Sequence, residues 1–232
     1  MCGTCGCNVP HTDSQIHESV VVLKGLLDEN DHQAAHNREH FEEHGVLAIN
    51  LMSSPGAGKT ALLEATIEAL AERVGIAVIE GDLETENDAD RIRAHGIPAV
   101  QISTGSACHL DAHMVHKALH EIELKDIDIL FIENVGNLVC PASFDLGQHA
   151  NVALLSTPEG HDKPAKYPVM FRAADLMLIT KSDLLPVLDD FDPATAEGCL
   201  RQLASSAPVF ELSAKTGEGM QHWIDWLDAG IR

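Results

Sequence analysis

The chain has 232 residues and a formal net charge of −21, from 36 acidic against 15 basic side chains. That balance argues against nucleic acid as a partner, and no apolar run nears the ~18 residues that span a bilayer. With no basic leader ahead of an apolar stretch, the expectation is a cytoplasmic protein. Its six cysteines then point to metal or redox chemistry before disulfides.

Three regions differ in character. Residues 1–10 are a Cys/Gly head, in which Cys2, Cys5 and Cys7 pack three thiols into six residues. Thiolates are soft ligands, and glycines let so short a segment wrap an ion. Structural zinc takes four ligands, so an α-amino group exposed by removal of Met1 is a candidate fourth. Residues 11–45 are polar, acidic and His-rich, with helical stretches predicted near 18–28 and 31–43. His32, His36, His40 and His44 repeat every four residues, a row that drifts about 40° per step. Only adjacent pairs can share an ion, and a solvated face is the preferred reading.

From Val46 onward, residues 46–232, strand-like runs alternate with helical patterns. Strands are predicted at 46–52, 76–80, 98–103, 127–132, 151–155, 175–180 and 208–212. Helices are predicted near 59–73, 87–95, 108–123, 167–173, 193–204 and 217–229. Such alternation predicts an α/β fold of three layers, α/β/α, around a mostly parallel seven-stranded sheet. Ligands of such sheets bind at the carboxyl ends of the strands.

The first strand runs into Ser53-Ser54-Pro55-Gly56-Ala57-Gly58-Lys59-Thr60-Ala61. Strand, small-residue loop and helix start together aim backbone N–H groups and a helix dipole at an anion. Lys59 is positioned for the β- and γ-phosphates of a nucleotide, and the Thr60 hydroxyl for Mg²⁺. Ser53 replaces the first glycine of the usual pattern. The second strand ends in Asp82, a second candidate for Mg²⁺ or its waters. The fourth ends in Glu133-Asn134-Val135-Gly136, which resembles the D-x-x-G of GTPases with Glu for Asp: acid for the Mg²⁺ shell, glycine for the γ-phosphate. The sixth ends in Thr180-Lys181-Ser182-Asp183, resembling N-K-x-D with Thr for Asn. Asp183 there accepts from guanine and rejects adenine, and the Lys181 stem covers the base. Ser213-Ala214-Lys215 resembles the loop that backs the base. Together these favour GTP over ATP, with Lys59, Asp82 and Glu133 nearest the chemistry.

Cys108-His109 falls at the start of a predicted helix, where the dipole favours a thiolate. Cys140 lies four residues past Gly136. Both positions follow strand ends, so Cys108, His109 and Cys140 form a candidate second metal site with a vacancy for water or a partner subunit. At 100° per residue His109, His113, His116 and His120 fall within about 60° of one another, opposite the apolar side. That stripe is expected to face solvent or a partner, with His113 a further metal candidate. Cys199 is expected to be a buried thiol, and Trp223, Trp226 and Leu227 to pack the last helix on the sheet.

With these residues the chain resembles the hydrogenase nickel-incorporation GTPase family (HypB). The resemblance covers the Cys-x-x-Cys-Gly-Cys head and nearly all of residues 46–232, and is most specific over 133–147 and 162–171. The related urease accessory GTPases carry Cys-Pro-His in the metal loop, whereas Cys140-Pro141 here precedes Ala142. The resemblance implies a SIMIBI-class G domain, GTP-linked homodimerisation, and delivery of Ni²⁺ to the large subunit of a [NiFe]-hydrogenase with a HypA-type accessory protein. It implies that Cys108, His109 and Cys140 bind Ni²⁺ or Zn²⁺ at the dimer interface. The alternatives are another nickel client, such as urease, or a metal-storage protein with weak nucleotide binding.

Overall fold

In a computed structural model of the chain, residues 13–70, 72–82, 87–105 and 107–231 are described, with residues 13–24 described through their backbone only. The Cys2–Cys5–Cys7 head lies outside the described residues. Seven strands form one sheet: β1 (Leu47–Met52), β2 (Ile76–Asp82), β3 (Ala99–Ser103), β4 (Ile129–Glu133), β5 (Ala150–Ser156), β6 (Leu176–Thr180) and β7 (Val209–Glu211). Their order is β3-β2-β4-β1-β5-β6-β7, and every pair is parallel. Parallel strands buried on both faces read as continuous apolar runs, and β4 and β6 are buried at every position.

The helices are α1 (Asp13–His44), α2 (Lys59–Leu70), α3 (Asn87–Ala94), α4 (Ala112–Leu119), α5 (Lys163–Lys166), α6 (Pro168–Arg172), α7 (Pro193–Gln202) and α8 (Met220–Gly230). Successive strand residues point to opposite faces, so each strand feeds two layers. Ile49 and Leu51 of β1 join a core with Leu62, Leu63 and Ile67 of α2 and Trp223 and Leu227 of α8. Ala48 faces the other layer, where Phe41 of α1 and Val115, Ala118 and Leu119 of α4 pack together. Met52 joins a third cluster with Met170, Phe171 and Leu200. Trp223 is fully buried, and its indole N–H donates to the Thr66 hydroxyl, so the last helix packs as its apolar spacing predicts.

Three local features differ from the sequence reading. The two stretches predicted before Val46 are one helix of 32 residues; no Gly-Pro break separates them, and Gly25 has open space around it. The helix expected from residue 108 begins at Ala112. Asp111 is its N-cap, its carboxylate accepting from the Met114 N–H, so Cys108 and His109 sit in the loop ahead of it rather than on its dipole. Cys199 is half-buried, not buried.

Candidate functional site

The loop after β1 closes over a cavity of about 430 Å³ lined by Pro55, Gly56, Gly58, Lys59, Thr60, Ala61, Glu80, Asp82, Glu133, Gly136 and Lys181, among others. Gly56 and Gly58 adopt φ of 76° and 97°, left-handed backbone that a side chain resists. Ser53, standing where glycine is usual, is not among the residues of positive φ. Its hydroxyl donates to the Ser54 carbonyl and accepts from the Lys59 ammonium at 3.0 Å, so the missing glycine is replaced by a partner for the lysine.

Lys59 and Thr60 are each 8 % exposed. The Lys59 Nζ lies 3.8 Å from Glu133 Oε1, and the Thr60 hydroxyl donates to that same oxygen at 3.1 Å. Glu80, to which the sequence reading gave no role, stands beside Glu133 because β2 and β4 pair Glu80 with Glu133 in register. Like charges directly opposite each other on a sheet repel. Burial, reinforced by Glu133, pushes the Glu80 carboxyl up to about 11. Burial also raises Glu133, against the pull of Lys59. Glu80 Oε1 and Glu133 Oε2 are buried without hydrogen-bond partners. Two orphaned carboxylate oxygens next to a threonine hydroxyl are a donor set that fits a hard divalent cation such as Mg²⁺. Alternation along the second strand puts Glu80 on the face opposite Gly81, but its meeting with the fourth strand's acid depends on strand order, which the sequence pattern does not carry.

A second cavity of about 250 Å³ opens beyond the loop, lined by Ala57, Gly58, Ala61, Thr180, Lys181, Asp183, Ser213, Ala214 and Lys215. Lys181 lines both cavities and takes φ 58°, with its ammonium on the Gly56 carbonyl at 2.7 Å. Thr180 is buried, and its hydroxyl donates to the Ala57 carbonyl at 2.7 Å, tying the end of β6 to the phosphate loop. The Ser213 hydroxyl donates to Asp183 Oδ1 at 2.7 Å and so orients that carboxylate. Arg91 reaches the first cavity, but its guanidinium is held by Glu64 and Asp88.

The cysteine triad forms on the same edge of the sheet. Cys108 Sγ, His109 and Cys140 bring one donor atom each within 4.8 Å of one another. Cys108 is exposed, and the other two are half-buried. The His109 ring stacks on Phe144 at 3.9 Å between centroids, and burial lowers its pKa, which keeps the imidazole neutral and able to ligate. The Cys108 thiol beside it holds the Cys140 thiol above its ordinary range, because one sulfur hydrogen-bonds the other. Soft thiolates and an imidazole at this spacing suit Zn²⁺ or Ni²⁺. His113 is exposed on α4, outside this convergence.

Two buried structures tie the triad to the nucleotide cavity. A Cβ on Gly136 would come within 2.9 Å of the Pro55 backbone, so the segment leading to Cys140 rides directly on the phosphate loop. Asn134 accepts from the Leu110 N–H, next to His109, and donates to Asn50, which in turn donates to Asn151. In the His stripe His113 and His120 are exposed as expected, while His116 is half-buried. His116 turns toward α1, with its ring 5.1 Å from His36 and its Nδ1 3.2 Å from Asn37 Oδ1.

A phosphate loop, an acid-bearing fourth strand and a base pocket on one edge of a parallel sheet define a P-loop GTPase of the SIMIBI class. Residues 47–211 match the family model described as CobW/HypB/UreG, nucleotide-binding domain. The hydrogenase maturation factor HypB of Azotobacter chroococcum is 54% identical over 209 residues, covering 90% of this chain and 68% of that one. HypB from Helicobacter pylori, solved in complex with nickel, is 42% identical with a TM-score of 0.82, covering 86% of this chain and 93% of that one. The HypB structure from Archaeoglobus fulgidus is 41% identical with a TM-score of 0.83, covering 89% and 100%. The chain belongs to the HypB family of hydrogenase maturation factors. Among the described residues, no helix is long and apolar enough to cross a membrane.

Proposed function

We propose that this chain is a nickel metallochaperone whose GTP hydrolysis opens and closes the cysteine triad while nickel is delivered to the large subunit of a [NiFe]-hydrogenase. The observation that carries this reading is the contact of Gly136 with Pro55, four residues ahead of Cys140. The γ-phosphate draws the Lys59 ammonium away from Ser53 and Glu133. Thr60, Asp82 and Glu133 would hold Mg²⁺, which neutralises charge on the phosphates. The Asp183 carboxylate, oriented by Ser213, selects guanine. Loss of the γ-phosphate frees Gly136, and the loop to Cys140 shifts with it. A nucleotide moves this equilibrium only by binding the two arrangements differently.

Nickel is the cargo, held by Cys108, His109 and Cys140, and the same donors accept zinc. Three donors leave a coordination position open. Val139, beside Cys140, is 51% exposed, and it gives the rim of the triad an apolar face for a second copy of the chain. The reading assigns residues 46–232 to the GTPase domain, Cys2, Cys5 and Cys7 to a separate metal site, and a cytoplasmic place of action with a HypA-type partner. Arg91 is occupied by two carboxylates, so intrinsic turnover is slow, well below about 1 per second. The test measures nickel affinity with GDP and with a non-hydrolysable GTP analogue. Equal affinities would sink the coupling.

A further inference from the structure

We propose that His40, Glu43 and His44, on the last turn of α1, form a transition-metal site of their own, separate from the cysteine triad and taking a divalent ion such as Ni²⁺ or Zn²⁺.

Residues four apart on a helix lie one above the other, and here the two imidazoles have converged. His40 Nδ1 and His44 Nδ1 stand 3.3 Å apart, with ring centroids 4.8 Å apart and planes inclined at 37°. Ligands about 2.0–2.1 Å from a tetrahedral ion stand about 3.3 Å from each other. The Glu43 carboxylate is the third donor, all three ligand atoms lying within 4.8 Å of one another. The His44 Nδ1 also meets the His40 carbonyl at 2.9 Å. A carbonyl only accepts, so that nitrogen bears hydrogen in the empty site. An ion takes its place as the imidazole shifts to the Nε2–H tautomer, with no net change in charge.

The surroundings favour a cation in three ways. The site is at the C-terminus of a 32-residue helix, where the peptide dipoles present negative charge. The chain's charge of −21 concentrates divalent cations at its surface. Across the helix pair stands His120, the C-cap residue of α4, continuing the row in which His36, His116 and His120 follow at centroid spacings of 5.1 and 4.8 Å. Only Gly45 and Val46 separate His44 from β1, whose far end carries the phosphate loop. The length of β1 therefore separates this site from the nucleotide, about 20 Å along six residues. Its occupancy is thus independent of the nucleotide, and of the reading given to the triad.

The test is equilibrium dialysis of the full-length chain against Ni²⁺ alone, and separately Zn²⁺ alone, with metal per chain counted. His40→Ala/His44→Ala should lose one equivalent of either metal, while the thiolate-to-nickel absorption band of the triad and GTP hydrolysis stay unchanged. His44→Ala alone, at an exposed position, should weaken that equivalent, and the exposed His222→Ala should leave the count intact. Adding GTP should not alter it. An unchanged metal count in the double variant overturns the site.

Discussion

The nucleotide cavity and the cysteine triad share one edge of the sheet but are built by opposite means. Lys59, Thr60 and Glu133 are more than nine-tenths buried, each sits at a strand or helix end, and each has a partner within the cavity. Cys108 is exposed, His109 and Cys140 are half-buried; Cys108 and His109 stand on a loop, and Cys140 opens a single 3-10 turn. The cavity is preorganised to stabilise charge, which requires rigid surroundings. Under the proposed function the triad releases what it holds, and its partly exposed donors suit that role. A rigid half that senses phosphate and a looser half that holds metal can exchange free energy only through the contacts joining them.

The comparison breaks first at Lys59. Lys59→Ala should cut GTP hydrolysis by about 100-fold or more, since it removes a preorganised charge at the phosphates. Phosphate release measures this, and nickel content in the absence of nucleotide should stay the same. If nickel is lost as well, the two halves are not separable. Cys140→Ala is the reciprocal case: one nickel equivalent lost, hydrolysis retained. Equal metal content in wild type and variant would remove the triad from the reading.

Gly136→Ala attacks the joint. Its methyl group would meet the Pro55 backbone, and overpacking of this kind costs about 1–3 kcal/mol. The expected result is a nickel affinity that no longer differs between GDP and the GTP analogue. The pH dependence sharpens the triad further. The Cys140 thiol keeps its proton to a higher pH than a free thiol, so nickel must displace that proton throughout the neutral range. Apparent affinity should rise with pH by roughly tenfold per unit for each proton released, and competition with a chelator from pH 6 to 8 reads the slope. The smallest effect belongs to Arg38→Ala. Its Nη2 alone bonds both oxygens of Asp145, and both side chains are 36 % exposed, so the loss of stability in denaturant should not exceed about 1 kcal/mol.

All seven strands were legible in the sequence, because a parallel sheet covered on both faces writes itself as short apolar runs. The phosphate loop was legible because its backbone demands glycine at particular places. Glu80 was not: its meaning depends on β2 lying next to β4, and strand order is not written in periodicity. The start of α4 was misplaced because the apolar spacing around Leu110 continues past the true N-cap at Asp111. Of the α4 histidines, His113 and His120 are exposed as expected, but periodicity could not say that His116 meets His36 and Asn37 of α1. Ser53 was read as a missing glycine, when its hydroxyl serves as the resting partner of Lys59.

The asparagines that link β4 to the loop of the triad have a consequence for how the chain reaches its fold at all. Asn50, Asn134 and Asn151 meet only when β1 is paired with its two neighbours as observed, Asn50 standing opposite Asn151 across β1 and β5. The apolar residues around them would tolerate many offsets, since one Ile or Leu replaces another at modest cost. The amides would not. A strand shifted by one position would bury amides without partners at about 1–3 kcal/mol for each, and would turn its side chains to the wrong layer. The three residues act as a key cut for one alignment of the central strands. They select against compact but misaligned chains before any nucleotide or metal arrives.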